Sequence, residues 1–127
     1  MSALAHGQMQ LVVEASPTGA ATSTGYAVLQ SSAALVSLWV PSLTSGTVTL
    51  AVYDSLGEIG SRLLTTFDVV SAATAEPVVQ ALTDINQRLS FVVTSTGTCQ
   101  FKVYVRAVAP AAGGAGGGGS GYFPSGW

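Results

Sequence analysis

One histidine, one cysteine and six carboxylates are a thin stock of acids, bases and metal ligands from which to assemble a reaction centre. His6 lies near the N-terminus, outside any strand pattern, whereas a Ser-His-Asp system needs its base held rigidly by an orienting group. It reads as an exposed side chain rather than a general base. Cys99 shares parity with Phe101 and Val103, which turns it toward a core, where a thiol behaves as a small hydrophobe. No neighbouring His or Lys signal activates it as a nucleophile. Zinc needs several Cys or His ligands, and the chain has one of each. Asp54 and Glu58 bracket the turn Asp54-Ser55-Leu56-Gly57-Glu58, where oxygen ligands could gather around calcium. That spacing does not follow an EF-hand loop of ~12 residues, so a hairpin turn with its acids facing water is expected. Paired carboxylates for glycoside cleavage would have to come from the same sparse set, and nothing in the sequence places two of them ~5–9 Å apart. Trp39, Tyr53 and Tyr104 could line a sugar-binding face. In the competing reading, Trp39 belongs to the core and the tyrosines form cross-strand pairs. The expectation is a protein that is not an enzyme, with no catalytic residue, no cofactor and no metal.

Composition explains why the stock is so thin. Apolar residues make up 48% of the chain and charged residues 8%, against about 25% charged in an ordinary soluble domain. Glu14, Asp54, Glu58, Asp68, Glu76 and Asp84 stand against Arg62, Arg88, Lys102 and Arg106. Ser, Thr, Ala and Gly fill the places where a free monomer would carry the mixed charges that keep it dispersed. Such a surface suits being covered, or closing on copies of itself as a homo-oligomer. Nucleic acid is not an expected partner, because phosphate neutralisation needs clustered Lys and Arg. The N-terminal residues have no basic region and no long apolar run, so no signal peptide is expected. No stretch approaches the ~20 apolar residues of a membrane-spanning helix, so no membrane partner is expected. A lone cysteine forms no disulfide within the chain and fits folding in a reducing cytoplasm.

The elements that would carry these residues follow a period of two. Val48, Leu50 and Val52 alternate with Thr47, Thr49 and Tyr53. Phe101, Val103, Val105 and Ala107 alternate with Gln100, Lys102, Tyr104 and Arg106. Leu63, Thr65, Phe67 and Val69 alternate with Arg62, Leu64, Thr66 and Asp68, and Leu89, Phe91 and Val93 with Arg88, Ser90, Val92 and Thr94. These are half-buried antiparallel strands rich in β-branched and aromatic residues. Weaker strands are expected at 8–14, 25–30 and 34–40; the last is apolar on both faces and reads as central, or as covered by a neighbouring subunit. Turn signals fall at 17–19, 41–46, 57–60 and 96–97. From 74 to 89, Val78, Leu82, Ile85 and Leu89 recur at helical spacing, but in an all-β setting a short strand at 77–82 and a turn at 84–86 are favoured. About seven strands without alternating helices predict an all-β fold: an antiparallel β-sandwich or jelly roll with extended N- and C-terminal arms. The expected division is an N-terminal arm at 1–7, the sandwich at 8–109 and a C-terminal arm at 110–127.

That C-terminal arm contains Gly113-Gly114-Ala115-Gly116-Gly117-Gly118-Gly119, then Tyr122-Phe123-Pro124 and Trp127. No Lys-Ser/Thr follows the glycines, so the run is no phosphate cradle. Glycine loses the most backbone freedom on ordering, so such a tether holds still only if it is gripped along its length. Tyr122, Phe123 and Trp127 are the expected partner-binding residues, an anchor beyond a spacer. Each buried ring contributes roughly 1.5–3 kcal/mol from area, while each ordered residue costs about 1–2 kcal/mol. Backbone hydrogen bonds, as in strand addition to a neighbour's sheet edge, would have to supply the rest.

Three segments together have a further likeness: 34–40; Thr44-Ser45-Gly46-Thr47-Val48-Thr49-Leu50-Ala51-Val52-Tyr53-Asp54; and 88–108, closing on Val105-Arg106-Ala107-Val108. In this texture the chain resembles small β-sandwich accessory proteins of tailed-phage virions. Many of those carry an Asp-Gly and a nearby Trp after the second segment, where this chain has Gly57-Glu58-Ile59. The resemblance implies a virion structural protein, most of all a capsid decoration or cement protein, assembled in the host cytoplasm. Its partners would be copies of itself and a major capsid or other virion protein. The alternative from a different class is a carbohydrate- or receptor-binding module, such as a head-fibre or tail component.

Overall fold

Alternation along three of the strands read from the sequence sorts the side chains as predicted. Val48, Leu50 and Val52 are fully buried, as are Leu89, Phe91 and Val93, and Phe101, Val103, Val105 and Ala107. The computed structural model describes residues 3–109. Eight strands run in the order β1 (Met9–Ala15), β2 (Ala21–Val28), β3 (Ala33–Leu43), β4 (Val48–Ser55), β5 (Ser61–Thr66), β6 (Val78–Leu82), β7 (Arg88–Ser95) and β8 (Cys99–Val108). A single 3-10 turn, Gly57–Ile59, joins β4 to β5.

The strands form two four-stranded antiparallel sheets, β1-β8-β3-β6 and β2-β7-β4-β5. The pairs β4·β5, β3·β6, β2·β7 and β1·β8 are one long antiparallel ribbon rolled over on itself. The extra pairings β3·β8 and β4·β7 close the roll into two sheets. That is the eight-stranded, double Greek-key order of a jelly roll. One core lies between the sheets, built on Phe67, Phe91, Phe101, Leu38, Leu50 and Leu89. β3 and β8 are the two inner strands of the first sheet; β3 turns Val36, Leu38 and Val40 into the core and leaves Leu35 and Trp39 half-buried on the outer face.

Four local outcomes refine the expected pattern. The segment 74–89 is strand β6 followed by a turn, with Asp84 and Gln87 at positive φ (56° and 68°). The helical spacing of Leu82, Ile85 and Leu89 arises because strand, turn and next strand each bury one of them. β3 does not stop at Pro41 but continues to Leu43, with its register slipping between Trp39 and Ser42. An irregularity there absorbs the amide hydrogen that proline lacks. β5 is a correction. Val52 pairs with Thr65 and Tyr53 with Leu63, so Leu64 is an extra, bulged residue. The alternation therefore breaks: Leu63 and Val69 are exposed (53% and 60%), while Leu64 and Phe67 pack on the core. Asp54, expected to face water, is also a correction: its exposure is 0%. It stands on the inward register of Val48, Leu50 and Val52, and Arg62 across the β4·β5 pair neutralises it.

Residues 4–8 lie against the body. Leu4 bridges Leu29 and accepts the amide of Gln30, while Gly7 donates to Ala107 (2.6 Å) and Gln8 accepts from the amide of Ala107 (3.0 Å).

Candidate functional site

The chemically richest cluster surrounds Asp54 at the end of β4. One carboxylate oxygen accepts from the Arg62 guanidinium at 2.7 Å and the other from the Asn86 backbone N–H at 3.1 Å. Arg62 also donates to the Asp84 carbonyl (3.1 Å), and the Asn86 amide group donates to the Ser55 carbonyl (3.3 Å). Each carboxylate oxygen has one partner from its own chain, and the two bonds sew the β4–β5 hairpin to the turn before β7. The arrangement is a structural clamp. Among the described residues, no three His, Cys, Asp or Glu side chains gather as a metal site.

The other sequence candidates are dispersed. His6 is exposed and Glu58 is exposed on the 3-10 turn. Cys99 is 4% exposed; burial pushes its thiol above the ordinary range, partly offset by a hydrogen bond with Ser95. Trp39 and Tyr104 lie on the outer side of the first sheet, and Tyr53 lies on the outer side of the second, so the three do not form one stacking face. Nor do the tyrosines pair with each other: Tyr104 flanks Ser37 and Leu11, and Tyr53 flanks Ser90 and Leu63. Trp39 is half-buried on that outer side, with its indole N–H donating to the Thr74 carbonyl (3.2 Å) and the Lys102 ammonium 5.8 Å from its ring centre. Tyr122, Phe123 and Trp127 lie outside the described residues.

Two outer surfaces remain, one on each sheet. On the first sheet, the pairings Leu11↔Tyr104↔Ser37↔Val79 and Met9↔Arg106↔Leu35↔Ala81 set two cross-strand rows side by side. Met9, Leu11 and Val79 are 54%, 40% and 52% exposed. Leu35 and Tyr104 are half-buried between them. Two basic side chains of β8 interrupt this face: Arg106, between Met9 and Leu35, donates to the Gly7 carbonyl (3.1 Å), and Lys102, between Glu14 and Trp39, pairs with Glu14 (3.5 Å). An apolar stripe crossing all four strands is the kind of surface that a partner covers.

The second surface is a groove of about 620 Å³ where β1 folds past the edge strand β2. Gly25 makes this possible: a Cβ there would stand 2.1 Å from the Val12 carbonyl oxygen, so only glycine lets the β1 backbone come this close. The pairs Thr24↔Val92 and Tyr26↔Ser90 supply its outward-facing side chains. Arg88 places its guanidinium carbon 5.2 Å from the centre of the Tyr26 ring. Tyr26 is 47% exposed. Among the described residues, no carboxylate pairs with Arg88. Sequence reasoning passed over Tyr26 and Arg88. Their shared parity with Ser90 across the β2·β7 pair was the available signal, but it needs the register to be read.

No protein-family model matches the chain, and no curated protein matches it. A solved structure described as the crystal structure of PirA is similar at 12% identity over 82% of this chain and 86% of that one, with a TM-score of 0.33. A likeness at that level carries no argument about this protein.

Proposed function

We propose that this protein is a non-enzymatic structural subunit of a phage-like virion that decorates or cements the capsid by laying the outer face of its first sheet against a neighbouring subunit. The observation that supports this reading most is the apolar stripe of Met9, Leu11, Leu35, Tyr104 and Val79, in which the one intervening cation, Arg106, is engaged by the Gly7 carbonyl. A charge content of 8% points the same way, because a free monomer gains little from a surface so poor in ions. The eight-stranded jelly roll is shared by viral capsid and lectin domains, which adds an analogy of architecture and no more. Tyr122, Phe123 and Trp127 supply a second hold, as aromatic anchors on a partner.

The test uses the full chain, sedimented alone and with virions from a host that produces it. The variant Leu11→Glu/Val79→Glu and a truncation after residue 110 are carried in parallel. Both keep the thermal transition of the parent, since outward positions shift stability by only about 0.5 kcal/mol. Each lowers occupancy on the particle. A parent chain that is monomeric, and particle occupancy untouched by either change, overturn the reading.

A further inference from the structure

We infer that the groove between β1 and the β2·β7 pair is a binding site for an acidic saccharide, read through its carboxylate by Arg88 and through its sugar ring by Tyr26. This goes beyond the assembly reading and does not depend on it, because the groove opens on the second sheet and the apolar stripe lies on the first.

Three observations converge. First, a guanidinium carries five donors in a planar fork and no acceptor. Arg88 is poised 5.2 Å from the Tyr26 ring centre with no carboxylate partner among the described residues. A fork held over a ring and left without an anion is suited to a bidentate carboxylate. Second, the remaining polar lining is neutral and hydrogen-bonding: the Gln10 amide and the Thr24 and Ser90 hydroxyls, beside the apolar Val92. Amides and hydroxyls around a half-exposed tyrosine match a ligand that presents hydroxyls on its rim and C–H bonds on its face. Third, the volume of about 620 Å³ falls within the ~300–1,000 Å³ of small-molecule clefts.

The charge count selects among anions. Among the described residues Arg88 is the one ionic side chain lining the groove, so the site engages one carboxylate at a time; a polyphosphate, with its charges crowded together, needs several cations. An acidic peptide is the competing class. Peptides gain affinity by adding a strand to an open edge, and within the groove the β1 backbone at Val12 already crowds the β2 edge at Gly25.

The experiment titrates the full-length protein, isotopically labelled, with sialyllactose, digalacturonate, neutral lactose and a hexa-aspartate peptide, followed by amide chemical shifts. Sialyllactose or digalacturonate should move the amides of Tyr26, Arg88 and Ser90, with lactose at least about tenfold weaker, as the loss of a charge-assisted fork implies. Arg88→Gln should erase the preference for the acidic sugar, and Tyr26→Ala should weaken the acidic and neutral sugars alike. Both side chains are exposed, and unchanged shifts elsewhere confirm that the fold is kept. Equal binding of lactose, a stronger response to the peptide, or no shift at these amides with any saccharide overturns the inference.

Discussion

Removing Arg62 should cost more than neutralising Asp54, although both changes break the same ion pair. The two partners differ in what they leave behind. Asp54 is fully buried, while the Arg62 side chain is 49% exposed. In Arg62→Ala the carboxylate stays buried with one remaining donor, the Asn86 N–H at 3.1 Å. A buried charge stripped of its partner costs about 3–5 kcal/mol. In Asp54→Asn the amide oxygen still accepts from Asn86, and the half-exposed guanidinium turns to water, where a surface pair is worth little. What is lost is one charge-assisted hydrogen bond, about 1.5–3 kcal/mol. Combining the changes removes the stranded charge, so the double variant should be more stable than Arg62→Ala alone. Urea unfolding followed by Trp39 fluorescence gives the three midpoints. If Arg62→Ala costs no more than Asp54→Asn, or if the double variant is the least stable, then Asp54 is solvated by something other than this clamp.

Two further perturbations probe the scaffold. Gly25→Ala drives a methyl group into the Val12 carbonyl, 2.1 Å away; since the obstacle is backbone, the edge must open, at about 1–3 kcal/mol or roughly 5–20 °C in Tm. A calorimetric shift under a degree would show that β1 yields freely there. Cys99 has its folded thiol value raised above 9.0 by burial, so the unfolded chain releases that proton first as pH rises. Its contribution to stability is complete below 9.0 and is lost as pH climbs through the raised value. From about pH 8 to about pH 10 the urea midpoint of the parent should therefore fall more steeply than that of Cys99→Ala; parallel profiles would refute the burial argument.

How much of this was legible in the chain varies with how local the cause is. The inward series Val48-Leu50-Val52 and Phe101-Val103-Val105-Ala107 could be read from alternation, because a half-covered sheet imposes period two on every residue. β6 could be read against its helical spacing, because Asp84 to Asn86 offered a turn. The bulge at Leu64 could not: it depends on how β5 registers against β4, and neither strand encodes that alone. Asp54 was legible in part, since its parity with Val52 pointed inward, but a carboxylate in the core becomes credible only once Arg62 is placed opposite. Trp39, Tyr53 and Tyr104 looked like one surface because a sequence does not tell which sheet a strand joins. The same blindness hid Tyr26 and Arg88, which are separated by about half of the chain and meet only through the β2·β7 pairing.

The rolled ribbon also gives the molecule a direction. Met9 pairs with Arg106 and Leu4 with Leu29, so the two termini of the described chain leave from the same end of the sandwich. The turns at 56–60 and 83–87 lie at that end too, because β4 finishes and β7 begins there, opposite each other in register. Arg62, Arg88 and Arg106 therefore cluster near one end, while the other end closes on Ser, Thr and Gly turns such as Ser45–Gly97, where a Cβ at Gly97 would stand 2.3 Å from the Ser45 carbonyl oxygen. The first end gathers three of the four basic side chains, while the second carries the Lys102–Glu14 pair and the exposed carboxylates Asp68 and Glu76. The two sides of the sandwich differ as well, one outer face carrying the apolar stripe and the other the groove beside Tyr26 and Arg88.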